Sequence, residues 1–202
     1  MDIKKHSLTW AFPLSKRNLT THLILHHADA SRVTVETIHN YHISRGWSGI
    51  AYHFLVGKDG VIHEGRPIDT IGGHTSGMNY CSIGVCFEGN FEVEQMPDAQ
   101  LLAGQELIKY ITEKYPNLII GQHKEFNATA CAGKYFPFDE ICNGADPEPA
   151  TGNVEIIPAW KKSFFDFAKQ EGLITSDEWL NKLDEPAPVW LVFAIAERIK
   201  KP

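Results

Sequence analysis

The five residues Leu23 to His27, LILHH, constrain this chain most. A short, wholly apolar run reads as a buried strand, and this one ends on two imidazoles. Successive side chains of a strand point to opposite faces, so only one of His26 and His27 faces any given site. Other short apolar runs follow. Ala51 to Val56 (AYHFLV) reads as a strand, Lys58-Asp59-Gly60 as a hairpin turn and Val61 to His63 as the return strand. Ser82 to Phe87 is an apolar strand. Leu118 to Ile120 is a short one that delivers Gly121, Gln122 and His123. Between them, Val35, Ile38 and His42 share one face of a short helix. Leu101, Gly104, Ile108, Ile111 and Tyr115 mark a longer helix that Pro97 starts and Pro116 stops. Gly104 would let that helix approach a sheet closely. Residues 64 to 80 form a Gly-rich loop, of a length that usually carries function. Residues 1 to 21 carry no assignable pattern.

A chain of 202 residues makes one ordinary domain, or one domain with a small module. The run NGADPEPATGNVEIIP, with its prolines and glycines, reads as a linker over residues 143 to 158. That leaves a main unit at 1–142 and a small helical module at 159–202. In the latter, Thr175 and Glu178 form a capping box, and Leu191, Ile195 and Ile199 an apolar stripe. The net charge is −6, with 19 basic against 25 acidic residues and no long basic run, which disfavours nucleic acid as a partner. No stretch reaches 18 apolar residues, so no transmembrane segment is expected. Lys4 and Lys5 are followed by Ser7, Thr9, Pro13, Ser15, Lys16 and Arg17 rather than by an apolar run, so no signal peptide is expected either. A monomer is expected. Four cysteines (Cys81, Cys86, Cys131, Cys142) are too few for a disulfide scaffold. Cys81 and Cys86 read as buried small hydrophobes pointing to opposite faces of one strand.

His26 closes one strand, His123 follows another, and Cys131 lies eight residues further on. Two imidazoles and a thiolate make a sound shell for Zn²⁺, with a fourth position left for water, and a poor one for magnesium or calcium. The alternative is a buried histidine, a surface histidine and a buried cysteine with no common purpose. His39 and His42, three apart on the short helix, also have ligand spacing but read better as packing residues. Tyr52 would be either a core aromatic or a hydroxyl that holds water or a developing oxyanion. His74, in the Gly-rich loop, would be either a substrate contact or a solvent-facing residue.

The segments LILHHADA, GWSGIAYHFLVGKDGVIHEGRP, GGHTSGMNYCSIGVCFEGNF and GQHKEFNATACAG resemble the N-acetylmuramoyl-L-alanine amidases of the bacteriophage T7 lysozyme type, which share a fold with the peptidoglycan recognition proteins. The resemblance runs from about residue 20 to 140, about 60% of the chain. It implies that His26, His123 and Cys131 are zinc ligands and that Tyr52 assists at the zinc site. The family's lysine two residues before the cysteine corresponds to Thr129, placed among the catalytic residues, as in recognition-protein relatives. His74, His27 and Asn79 are implied at the substrate groove. Four departures stand out: Ala51 replaces a common Gly, Lys124-Glu125 replaces the second half of H-x-D, Thr129 brings no positive charge, and Cys86 stands where some members have Glu. Non-catalytic recognition proteins typically lose the cysteine ligand; this chain keeps it.

The resemblance implies an α/β fold, a mixed central β-sheet with helices on both faces. It implies hydrolysis of the amide between N-acetylmuramic acid and L-alanine in peptidoglycan, reached after lysis or by an external export route. The alternatives are a non-catalytic peptidoglycan-binding protein and a cytoplasmic amidase that recycles muropeptides. AWKKSFFDFAKQEGLIT loosely resembles a surface-layer-homology-type, wall-binding segment; the alternative is a helical extension packed on the first domain.

Overall fold

The computed structural model describes residues 1–143 and Lys169, so the expected linker from residue 144 on and the C-terminal module lie outside the described residues, Lys169 excepted. Six strands form one sheet in the order β1-β4-β3-β5-β2-β6. They are β1 (Ile3–Lys4), β2 (His22–His27), β3 (Phe54–Val56), β4 (Ile62–Glu64), β5 (Ser82–Phe87) and β6 (Ile119–Gln122). The helices are α1 (Val35–Ser44), α2 (Asp98–Lys114) and α3 (Phe138–Asn143), with a 3₁₀ turn at His123–Glu125. The β3–β4 hairpin is antiparallel and every other pairing is parallel, so the sheet is mixed, as expected.

The alternation of β2 and β5 sorts the core. Leu23, Leu25, Ile83, Val85 and Phe87 pack with Phe54 and Val56 against Leu107, Ile108 and Ile111 of α2 and Ile141 of α3. On the other face, Leu55 and Cys86 pack with Val35 and Ile38 of α1 and with Ile50. Gly104 is what lets α2 lie close: a Cβ there would stand 2.7 Å from Phe87 Cε1. Gln100, fully buried in α2, donates through Nε2 to the carbonyls of Val56 and Glu88. Thr34 caps α1 reciprocally with Thr37.

Three local readings are corrected. The third strand begins at Phe54 rather than Ala51, because the carbonyls of Ala51, Tyr52 and His53 receive the N–H groups of Gly73, Arg66 and Gly65 from the Gly-rich loop. The N-terminal residues, unassigned by pattern, supply β1, which is too short for periodicity to register. The loop after Cys131 leads into α3, whose apolar positions lie among aromatics and charges.

His53 and His42 are buried histidines that act as packing and hydrogen-bonding residues. His53 Nδ1 accepts from Gly84 N–H at 2.9 Å, so its Nε2 donates to Thr70 O, which Arg17 also reaches. Burial pulls His53 down to about 3. His42 Nδ1 accepts from Ala51 N–H at 3.1 Å, and burial, helped by the charges of Arg66 and Arg45, pulls it down to about 4. An unfolded histidine titrates near 6.5. Between that pH and the folded value, the unfolded chain binds a proton that the native chain refuses, so stability falls as pH falls through this window. The variant His42→Asn keeps a side-chain acceptor for Ala51 but removes the titration. In urea unfolding between about pH 6.5 and about pH 4.5, its stability should fall less steeply than the parent's, by roughly 1.4 kcal/mol per pH unit.

Candidate metal and catalytic site

The site is built at the C-terminal ends of the central parallel strands. In β2, His26 pairs in register with Cys86 of β5, and the two side chains share the α1 face of the sheet. His26 is 1% exposed. His123 begins the 3₁₀ turn directly after β6, the strand on the other side of β2. The loop that follows returns Cys131 to the same place. It is held by the Lys124 N–H bond to Cys131 O (2.8 Å) and by Cys131 N–H donating to Thr129 Oγ1 (3.3 Å). One ligand atom each of His26, His123 and Cys131 fall within 4.8 Å of one another.

Hydrogen bonds decide which imidazole nitrogen is available. His26 Nε2 lies 3.0 Å from His74 Nδ1, and His74 Nε2 lies 3.3 Å from Ser82 Oγ, which donates to Met78 O at 2.7 Å. One tautomer assignment satisfies the whole chain: His26 Nε2–H donates to His74 Nδ1, and His74 Nε2–H donates to Ser82 Oγ. That leaves the lone pair on His26 Nδ1, which faces Cys131 Sγ at 3.7 Å. Likewise His123 Nε2–H donates to Asn127 Oδ1 at 3.0 Å, leaving its Nδ1 free, and Asn127 Nδ2 donates to Ser76 O. A tetrahedral zinc with bonds of about 2.05 Å to nitrogen and about 2.3 Å to sulfur would hold those atoms about 3.5 Å apart.

The protonation states suit the same group. Burial drives His26 well below its ordinary range, with His123 and His27 adding to the effect. Burial likewise lowers His74 strongly and His123. All three are neutral ligands or neutral donors at pH 7. Burial pushes the Cys131 thiol up to about 11. Only an adjacent cation makes the thiolate favourable there at neutral pH, which is what a divalent ion does for a coordinating cysteine. The donor set therefore fits zinc.

The Tyr52 ring lies 5.1 Å from that of His26. Burial keeps its phenol well above the usual range, so it stays a donor, and it bonds the Cys86 thiol. Other expected residues take different places. His74, read as a loop residue at the substrate, is buried behind His26, against Gly84. That glycine in mid-strand makes the room, since a Cβ there would meet His74 Cγ at 2.4 Å. His27 points to the other face of the sheet, where Nδ1 accepts from Phe91 N–H at 3.1 Å. Asn79 is half-buried, and its Oδ1 accepts from Thr75 N–H at 2.9 Å, which pins the Gly-rich loop. Thr129 is exposed beside Cys131. His39 is committed to Thr9 O and to Ile50 N–H. Sequence reasoning missed Asn127, Thr75 and Ser82, which orient the ligands. Only the Asn127 spacing, four after His123, offered a signal.

Replacing His74 by Leu should leave the fold intact and weaken zinc retention by about 10- to 100-fold, because His26 loses the acceptor that fixes its ring. Competition with a chromophoric chelator measures this, and unchanged affinity would assign His74 to packing.

Comparison with known proteins agrees with this geometry. Residues 16–134 match the family model described as N-acetylmuramoyl-L-alanine amidase. The solved amidase LysC from Clostridium intestinale is 38% identical, with a TM-score of 0.68 over 70% of this chain and 95% of that one. The endolysin of Escherichia phage T7 is 31% identical over 126 residues, covering 57% of this chain and 83% of its own. Peptidoglycan-recognition protein SC1a of Drosophila melanogaster is 30% identical over 130 residues, 58% of this chain and 70% of its own. With a sheet, a site and a family match that coincide, the chain belongs to the N-acetylmuramoyl-L-alanine amidase family and is an amidase of that kind.

Proposed function

We propose that this amidase cleaves the bond between the lactyl group of N-acetylmuramic acid and L-alanine in peptidoglycan, and that it does so with zinc held by His26 Nδ1, His123 Nδ1 and Cys131 Sγ. The observation that carries the reading is the convergence of those three donors, all within 4.8 Å, beside a protonated tyrosine. When bound, zinc supplies Lewis acidity, polarising a carbonyl and making water a better nucleophile near neutral pH.

The chain's own residues do the rest. Tyr52 presents an O–H that can donate to negative charge as it develops on the carbonyl oxygen. His74 and Asn127 hold the two ligand imidazoles in one tautomer and orientation. No lysine stands at position 129, so oxyanion stabilisation falls to Tyr52, the metal and backbone donors. The recognition-protein relatives make a non-catalytic, wall-binding role the second reading; retention of Cys131 supports the catalytic one. Among the described residues no helix is long and apolar enough to cross a membrane. We assign the action to the cell wall, reached after lysis or by an external route.

The deciding experiment digests purified peptidoglycan and identifies the new ends: a free L-alanine amine and an intact lactyl carboxylate. Activity should vanish on chelation and return with zinc, and Cys131→Ser should lose the metal. New reducing sugar ends instead, or activity indifferent to chelation, would reject the proposal. Tyr52→Phe should retain zinc and lose roughly 10²-fold in kcat; full turnover would make Tyr52 a core aromatic.

The segment after residue 158 is proposed as a wall-binding module. Truncation at 157 should then spare turnover of a small muramyl peptide while lowering binding to sacculi, since tethering raises the local substrate concentration only on the polymer. Equal losses on both substrates would assign the segment to stability of the catalytic unit.

A further inference from the structure

Away from the amidase site, three elements bring a second set of metal-type donors together. His6 follows β1, Glu36 stands in the first turn of α1 and His63 is the middle residue of β4. His6 Nδ1 lies 2.6 Å from Glu36 Oε1, and His6 Nε2 lies 3.0 Å from His63 Nδ1. The ring centroids are 5.1 Å apart. With Glu36 taking the Nδ1–H, the nitrogens facing each other across the pair have one proton between them. A cavity of about 370 Å³ opens at this point, lined also by Lys4, Asp59 and Glu88. Both Glu88 oxygens are used, by the N–H groups of Val33 and Lys58, and one Asp59 oxygen accepts from Val61 N–H.

We propose that His6 and His63 form a second, weaker transition-metal site, in which a divalent ion of the zinc, nickel or cobalt class replaces the proton between His6 Nε2 and His63 Nδ1. Two imidazole nitrogens bound at about 2.05 Å stand about 2.9 Å apart at a right angle and about 3.3 Å apart at a tetrahedral one. The observed separation falls between these, so the two nitrogens already stand at a metal-binding distance and the rings need only turn to aim their lone pairs at the ion. Glu36 already makes the bond that orients metal-ligating histidines, a carboxylate on the far ring nitrogen. Imidazole selects this class of ion over magnesium or calcium. The surroundings favour a cation, with three carboxylates against the single ammonium of Lys4. Among the described residues no third His, Cys, Asp or Glu completes this pair as a group with ligand atoms within 4.8 Å of one another. Water completes the shell, and the affinity stays below that of the thiolate site. In the neutral pair that proton shifts to His63 Nε2 as the ion takes Nδ1, and binding ties β1, α1 and β4 together.

The test titrates the untagged, chelator-stripped full chain with cobalt(II). Two equivalents should bind, and only the tighter one should bring the charge-transfer absorption of a cobalt–thiolate bond. The double variant His6→Gln/His63→Gln should bind one equivalent and keep that absorption; Cys131→Ser should bind one and lack it. In the wild-type chain the second equivalent should broaden the imidazole ring protons of His6 and His63 in NMR spectra, a readout that needs no variant. Uptake of a single equivalent by the wild type, two by the double variant, or broadening confined to the half-exposed His22 would each overturn the site. Absence of the thiolate band alone would count against the amidase site and leave this result readable.

Discussion

His26 is a polar ring placed where the sheet has no water to offer it. It sits on β2, flanked by β5 and β6, at 1% exposure, and both of its nitrogens need partners. One is satisfied by His74, the other faces Cys131 and His123. An unpaired buried polar group costs about 1–3 kcal/mol, so the partner residues are as tightly specified as His26 itself. Much of the rest follows from that placement. Gly84 must lack a side chain, the Gly-rich loop must fold back over the sheet, and Thr75, Asn79 and Ser82 must hold it there.

The same placement explains an unusual density of histidine near one sheet face. His26, His53 and His74 are buried, and each is held neutral chiefly by burial. Mutual repulsion among their charged forms adds to this: His123 and His27 act on His26, and His26 and His53 on His74. Neutral imidazoles serve as ligands and as one-donor, one-acceptor links, which charged ones cannot. The site is electrically quiet, and the Cys131 thiol, pushed up by burial, is the group whose charge a bound cation would change.

Much of this was legible in the order of residues. Strands long enough to show an apolar run, β2 and β5, and the helix α2 with its 3.6-residue period, were found close to their true limits. The grouping of His26, His123 and Cys131 was legible because zinc chemistry restricts residue type, and the family resemblance pointed to Tyr52, whose ring lies beside His26. What failed were features fixed by tertiary contacts. β1 has two residues and exists only by pairing with β4. Residues 51–53 carry strand-like side chains, but their carbonyls are claimed by a distant loop. His74 read as a solvent-facing or substrate-facing residue, because nothing local reveals that a loop histidine will be pressed against a glycine across the sheet. His27 was assigned to substrate by analogy, although the alternation of β2 already turned it away from His26.

The sheet ends on short strands: β1 with two residues and β6 with four. A strand edge is a row of unsatisfied donors and acceptors, and its length sets how well it can template another chain. A second molecule aligning along β1 would find two residues to pair with, and along β6 four. Neither edge provides the long, flat register from which intermolecular sheets grow. The long, hydrophobic strands β2 and β5 are sealed in the middle, so the architecture that buries His26 also shields this sheet from edge-to-edge pairing.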